Sequence, residues 1–139
     1  MSDLFTGLKQ KVSASDVSIV FPEGLDERVL GAVSRLAADN ILKPIVVGNK
    51  DAVASKAAEL NVKLDGVEVL DPQSYSEFDE MVAAFVERRK GKATEEDARK
   101  NLLDENYFGT MLVHMNKADG LVSGAAHSTA DTVRPALQI

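Results

Sequence analysis

Short apolar runs in this chain alternate with longer stretches in which apolar residues recur every three or four positions. The run VSIVF at 17–21 is rich in β-branched residues and is stopped by Pro22 and Gly24, which predicts a strand. Further strands are predicted over 44–47, closed by Gly48, over 67–70, ended by Asp71-Pro72, and over 118–123. The intervening periodicity is helical. Leu4, Phe5, Leu8 and Val12 share one face of a first helix. Asp26 is placed to cap a helix over 27–39, with Val29, Leu30, Val33, Leu36 and Ala37 turned inward. Asn49 or Asp51 caps a helix reaching Leu60. Residues 74–90 read as one long helix with a stripe of Phe78, Met81, Val82, Phe85 and Val86. Gly91-Lys92-Ala93 makes a corner, and Thr94 with Asp97 forms a capping box for a short helix to about Leu103. Residues 104–116 predict another helix, with Tyr107, Phe108, Met111 and Leu112 buried.

Buried strands alternating with amphipathic helices predict an α/β fold: a parallel sheet with helices on both faces. In such sheets ligands bind beyond the carboxyl ends of the strands. Here that edge carries the loops after Phe21, Val47, Leu70 and Ser123.

The 139 residues suffice for one domain with a real core. Hydrophobic residues make up 45% of the chain and charged residues 27%, the balance of a soluble globular protein. A net charge of −6 speaks against nucleic acid as the main partner, but leaves room for a small anion met by a few local cations. With no cysteine and two histidines in different contexts, neither a disulfide frame nor a metal site is expected. No apolar run approaches the roughly 20 residues of a membrane span, and polar residues interrupt the N-terminal stretch. A cytoplasmic location is the expectation. The first turn, Pro22-Glu23-Gly24, is not a dinucleotide fingerprint.

The densest chemistry lies at 123–139, SGAAHSTADTVRPALQI. A strand, a turn of small residues and a hydroxyl-rich helix start suit an anion. Small residues let the backbone approach, and the first N–H groups of the helix point outward.

The stretch 123–136 resembles the signature of phosphate acetyltransferases, or phosphotransacetylases. Residues 21–29 (FPEGLDERV) are similar to that family's first strand–helix turn, and 46–49 (VVGN) to its second. Residues 85–90 (FVERRK) and 106–111 (NYFGTM) resemble its middle helices. The resemblance implies the layered fold of the isocitrate and isopropylmalate dehydrogenases, as the N-terminal part of a two-domain enzyme about twice this length. It implies reversible acetyl transfer between acetyl phosphate and coenzyme A, yielding acetyl-CoA and inorganic phosphate, with coenzyme A as substrate and no metal or redox cofactor. Arg134 matches the arginine expected to clamp the phosphate or the developing charge, since a guanidinium offers two parallel charged hydrogen bonds. Ser128 and Thr129 are expected to donate to the same anion, and Arg89 matches an arginine linked to coenzyme A. The catalytic aspartate, serine and a further arginine of the family are expected outside these residues, so the chain alone is expected to be inactive. A homodimer is implied for the full-length protein.

Each residue also has a plainer reading. Arg134 could pair with Asp131, and Ser128, Thr129 and Thr132 could be capping hydroxyls. Arg89 sits in a basic run at a helix C-terminus, where it complements the dipole. His127 reads as a local hydrogen bonder more than as an acid or base, and His114 as structural. Asp131 is a candidate base but reads as a dipole or orienting group, and Glu23 and Asp26, at the ligand edge where they could touch substrate, read as turn and cap residues. Two further readings compete for the whole. One is a phosphate butyryltransferase; the other is a non-catalytic domain that senses an acyl-coenzyme ligand, as the regulatory tail of some malic enzymes does. Met1 opens directly onto the first expected helix, which leads to the expectation that the chain is not such a tail. The apolar Leu137-Gln138-Ile139 pattern, ending without a cap, leads to the expectation that the chain is truncated.

Overall fold

A computed structural model describes residues 16–139; the helix expected over 4–12 lies outside them. Four strands form one parallel sheet: β1 (Ser18–Phe21), β2 (Lys43–Val47), β3 (Glu68–Leu70) and β4 (Gly120–Leu121). The helices are α1 (Glu27–Ala38), α2 (Lys50–Glu59), α3 (Phe78–Arg89), α4 (Glu95–Asn101), α5 (Glu105–His114) and α6 (Thr129–Gln138).

Caps chosen by local chemistry set the helix starts. Asp26 accepts from the N–H groups of Arg28 and Val29, Asn49 from Ala52, Asp104 from Asn106 and Tyr107, and Ser128 from Asp131. The capping box of Thr94 and Asp97 forms as expected. Helix ends use asparagine. Asn40, Asn61 and Asn116 adopt left-handed φ of 52°, 55° and 61°, which an asparagine tolerates, and turn the chain toward the next segment. Lys90 (φ 48°) and Gly91 (φ 82°) make the corner between α3 and α4.

Two boundaries differ from expectation. The helix expected over 74–90 begins only at Phe78, because Asp71 draws the chain into a turn by accepting from the backbone N–H groups of Gln73 and Ser74. The fourth strand shrinks to Gly120–Leu121, bounded by hydrogen bonds from Asp119 N–H to the carbonyl of Ser18 and from Val122 N–H to that of Val20, after which the chain leaves β1 for the Glu23 carboxylate.

The strand order is β3-β2-β1-β4. Alternate side chains feed two cores. Val20, Ile45 and Val47 meet Met81, Phe85, Leu102, Phe108, Met111 and Leu112 on one face. Phe21 and Val46 meet Leu30, Val33 and Val53 on the other. Two-sided burial explains why the strands read as continuous apolar runs. Gly109 lets α5 lie close on the sheet: a Cβ there would stand 2.9 Å from Leu121 and 3.1 Å from Val20.

Candidate functional site

The chain steps from β1 to β2 to β3, then crosses back to place β4 on the far side of β1. The direction reverses between β1 and β4, and in open α/β sheets that is where a crevice opens for ligands. The loop after β1 brings Glu23 to this point, and the loop after β4 brings the small-residue turn.

The crevice is already occupied by a protein anion. Glu23 is only 2% exposed. Its carboxylate accepts from the backbone N–H of Gly124 at 2.9 Å, of Ala125 at 2.8 Å and of Ala126. Gly124 has φ 110°, a conformation suited to glycine, which helps three successive N–H groups converge. This corrects the sequence reading of the turn. Its backbone donors do face an anion, but the anion is Glu23. Gly24 makes the approach possible, since a Cβ there would lie 2.4 Å from the carbonyl oxygen of Val47. Burial pushes the Glu23 pKa up, but the bonds from His127 and the three N–H groups outweigh it and hold the carboxyl below its ordinary value.

His127 carries this network outward. Its Nδ1 lies 2.8 Å from Glu23 Oε2, and its Nε2 lies 3.1 Å from Glu105 Oε1 at the start of α5. Burial lowers the His127 pKa, yet the two carboxylates more than compensate and the net shift is upward. Glu105 is pushed up to about 7, first by burial, with Asp104 and Glu23 adding to the rise and His127 opposing it. Glu105 and His127 border a cleft of about 420 Å³ that runs to Asn49, Asp71 and Gln73 at the ends of β2 and β3. The plain reading of His127 as a local hydrogen bonder thus describes its geometry.

A second network fixes α6. Pro135 lies inside the helix and has no N–H for the carbonyl of Asp131. Buried Asn106 supplies the missing donor, its Nδ2 lying 3.3 Å from that oxygen. Its Oδ1 accepts from Ser123 Oγ at 2.7 Å.

The expected site residues fall into two groups. Ser128 caps α6, and its oxygen accepts from Asp131 N–H at 3.1 Å. Thr129 is the first helical residue, and its side chain lies outside what is described. Thr132 spends its hydroxyl on the carbonyl of Ser128 at 2.9 Å. Arg134 is exposed and pairs with Asp131 at 3.1 Å. It sits six residues beyond Ser128, roughly 9 Å along the helix axis, so the structure does not set the two side by side. Arg89 lines a separate hollow of about 300 Å³ with Lys92, Lys100, Tyr107 and Gln138. Burial raises the Tyr107 pKa, and Arg134 and Arg89 both act against that rise, so the two arginines share Tyr107 as a neighbour. Sequence reasoning placed Glu23 at the ligand edge, as a turn residue or a substrate contact, and did not foresee it as the acceptor inside the turn; nor did it foresee Asn106. The one available signal was a Pro in a helical pattern, which must leave a carbonyl for another donor.

Among the described residues there is no group of three or more His, Asp or Glu that could hold a metal ion, and no helix long and apolar enough to cross a membrane.

Residues 3–139 match the family model of the phosphate acetyl/butaryl transferases. The chain belongs to that family. A phosphate acetyltransferase of Bacillus subtilis is 66% identical over all 139 residues, and one of Staphylococcus aureus is 55% identical. The EutD phosphotransacetylase from Staphylococcus aureus superposes with a TM-score of 0.92 over 99% of the chain. A phosphotransacetylase from Streptococcus pyogenes superposes with 0.93 over all of it, at 52% identity. The chain spans 43% and 42% of the two curated relatives and 42% of each solved transferase chain. The transferase resemblance carried by 123–136 and 21–29 therefore holds for the whole described fold.

Proposed function

We propose that this chain supplies part of the cleft of a phosphate acetyltransferase, as the N-terminal α/β domain of a longer two-domain protein. In that reaction the coenzyme A thiolate attacks the acetyl carbon of acetyl phosphate. The new S–C bond forms, the C–O bond to phosphate breaks, and its electron pair leaves with inorganic phosphate. Coenzyme A is a substrate here, and no metal or redox group enters the bond making. The match to the transferase family along residues 3–139 carries the reading.

The geometry supports a role for Arg134 on the phosphate. Its pair with Asp131 is exposed on both sides, with the side chains 52% and 55% open. An exposed ion pair is worth only about 0–1 kcal/mol, so a phosphate can displace the carboxylate at little cost. The guanidinium fork then meets two oxygens of the leaving group, where charge grows in the transition state. Ser128 accepts from its own helix, and its O–H remains to donate to an anion at the helix start. Thr129 adds a first-turn N–H to the same end. Arg89, beside Lys92 and Lys100, offers a cationic hollow for the anionic part of coenzyme A. The general base for the thiol, and the homodimer contacts, belong to the rest of the protein.

The test is a coenzyme A-dependent acetyl phosphate assay on the protein at the relatives' full length, with butyryl phosphate as the competing substrate. Acetyl turnover in clear excess over butyryl turnover is expected. The isolated 139-residue chain should give none. Faster butyryl transfer would move the assignment to the butyryl branch. Tight acyl-CoA binding without turnover would move it to a sensing domain.

A further inference from the structure

We infer that Glu23 is the positioning residue of the proposed phosphate site, an internal anion that shapes the 123–127 turn and so sets the first turn of α6. The inference rests on the transferase reading above and names the residue through which that site is held.

Three N–H groups, from Gly124, Ala125 and Ala126, converge on one point, and their dipoles repel unless an acceptor stands there. Glu23 provides that acceptor from the loop after β1, about a hundred residues away in sequence. Its two oxygens also take Nδ1 of His127 at 2.8 Å, so the carboxylate is used by four donors. A carboxylate can accept all of them, whereas a glutamine would turn an NH2 toward N–H groups that already need an acceptor.

The turn is gripped on its other side as well. Arg28 Nη2 donates to the carbonyl of Ala125, while Asp26 holds the same guanidinium at 3.1 Å. Ser123 is tied to Asn106 at 2.7 Å. Each residue from Ser123 to His127 thus has a partner in the loop after β1, on α1 or on α5. Ser128 follows directly, so the place of the helix start is dictated by Glu23 and not by the turn's own sequence. His127 extends the hold to Glu105, with Asp104 and Arg28 as the other charged groups nearby.

The test compares Glu23→Gln and Arg134→Ala in the full-length transferase. KM for acetyl phosphate, KM for coenzyme A and kcat are read separately, and folding is checked by circular dichroism. Displacing a substrate group by about 1 Å costs roughly a hundredfold, so Glu23→Gln should raise KM for acetyl phosphate or lower kcat by about tenfold or more. KM for coenzyme A should stay within about threefold, because Arg89 lies in a different hollow. A folded Glu23→Gln enzyme with all constants within about twofold, or with both KM values raised alike, overturns the inference. If Glu23→Gln does not fold, Arg28→Ala carries the same test from the exposed side of the turn. A rise in acetyl phosphate KM alone of about three- to tenfold supports the inference, and no change or an equal change in both overturns it. Arg134→Ala separates the two levels. If it is silent, the phosphate assignment of Arg134 falls whatever Glu23 does. If it abolishes turnover while folded Glu23→Gln is silent, only the positioning role falls.

Discussion

Glu23, reaching the 123–127 turn from the loop after β1, and Arg134, on the helix that follows that turn, live in opposite circumstances. Glu23 is 2% exposed and serves four donors. Arg134 is half exposed, with one exposed carboxylate partner. A buried charge is tolerated only when the protein satisfies it completely, and then it is committed to structure. An exposed charge is satisfied by water and can change partners. The contrast separates two jobs that the sequence merges: one anion builds the turn from inside, and one cation faces what comes from outside.

The sharpest way to break the contrast is to remove the buried member. Glu23→Leu leaves three backbone N–H groups and His127 without their acceptor, and should destabilise the fold by roughly 3–5 kcal/mol in urea denaturation. A cost below about 1 kcal/mol would mean that water enters the turn and that Glu23 is not its keystone. The exposed member should behave in the reverse way. Arg134→Ala in the full-length enzyme should lower kcat/KM by about 30- to 1000-fold, on the order of 2–4 kcal/mol in the transition state. Its denaturation midpoint should barely move. A loss under about threefold would return Arg134 to a plain partner of Asp131.

A smaller effect sharpens how α6 is held. Asn106→Ala should cost about 1–3 kcal/mol, since it orphans the Asp131 carbonyl and takes from the Ser123 hydroxyl its shorter acceptor. Pro135→Ala restores an N–H to that carbonyl, so the cost of Asn106→Ala should shrink in the double variant. Strict additivity of the two would rule out the coupling.

The smallest expected effect is a pH slope. Glu105 has a folded pKa of about 7 against an ordinary 4.5, so the folded state holds its proton more tightly. Its contribution to stability is present below pH 4.5 and is lost as pH rises from there through about 7. His127 is shifted upward, so its contribution too is lost as pH rises through its folded pKa, above the ordinary 6.5. Glu23 is shifted downward and works in the other direction: its contribution is present above 4.5 and lost as pH falls. Glu105→Gln should therefore flatten the decline in denaturation midpoint between pH 4.5 and 7. An unchanged slope would detach Glu105 from the network.

Local chemistry made much of the fold legible. Asp26, Asn49, Thr94 with Asp97, Asp104 and Ser128 cap helices within a few residues of themselves, and the alternation of runs needs only the neighbours along the chain. Where a turn competed with a helix, as at Asp71 before α3, the boundary moved by four residues, from Ser74 to Phe78. The site was legible in part. Residues 123–136 marked the family, but the anion in the turn came from elsewhere in the chain.

By itself the sequence determined the strands, the helices with their caps, the parallel α/β class and the transferase family, because these depend on propensity, periodicity and short motifs. Only the tertiary structure decided that Glu23 fills the crevice between β1 and β4, that His127 bridges it to Glu105, and that Asn106 answers Pro135. Those choices join residues up to about a hundred positions apart. The demand that each buried donor and acceptor find a partner is met only when the whole chain has closed.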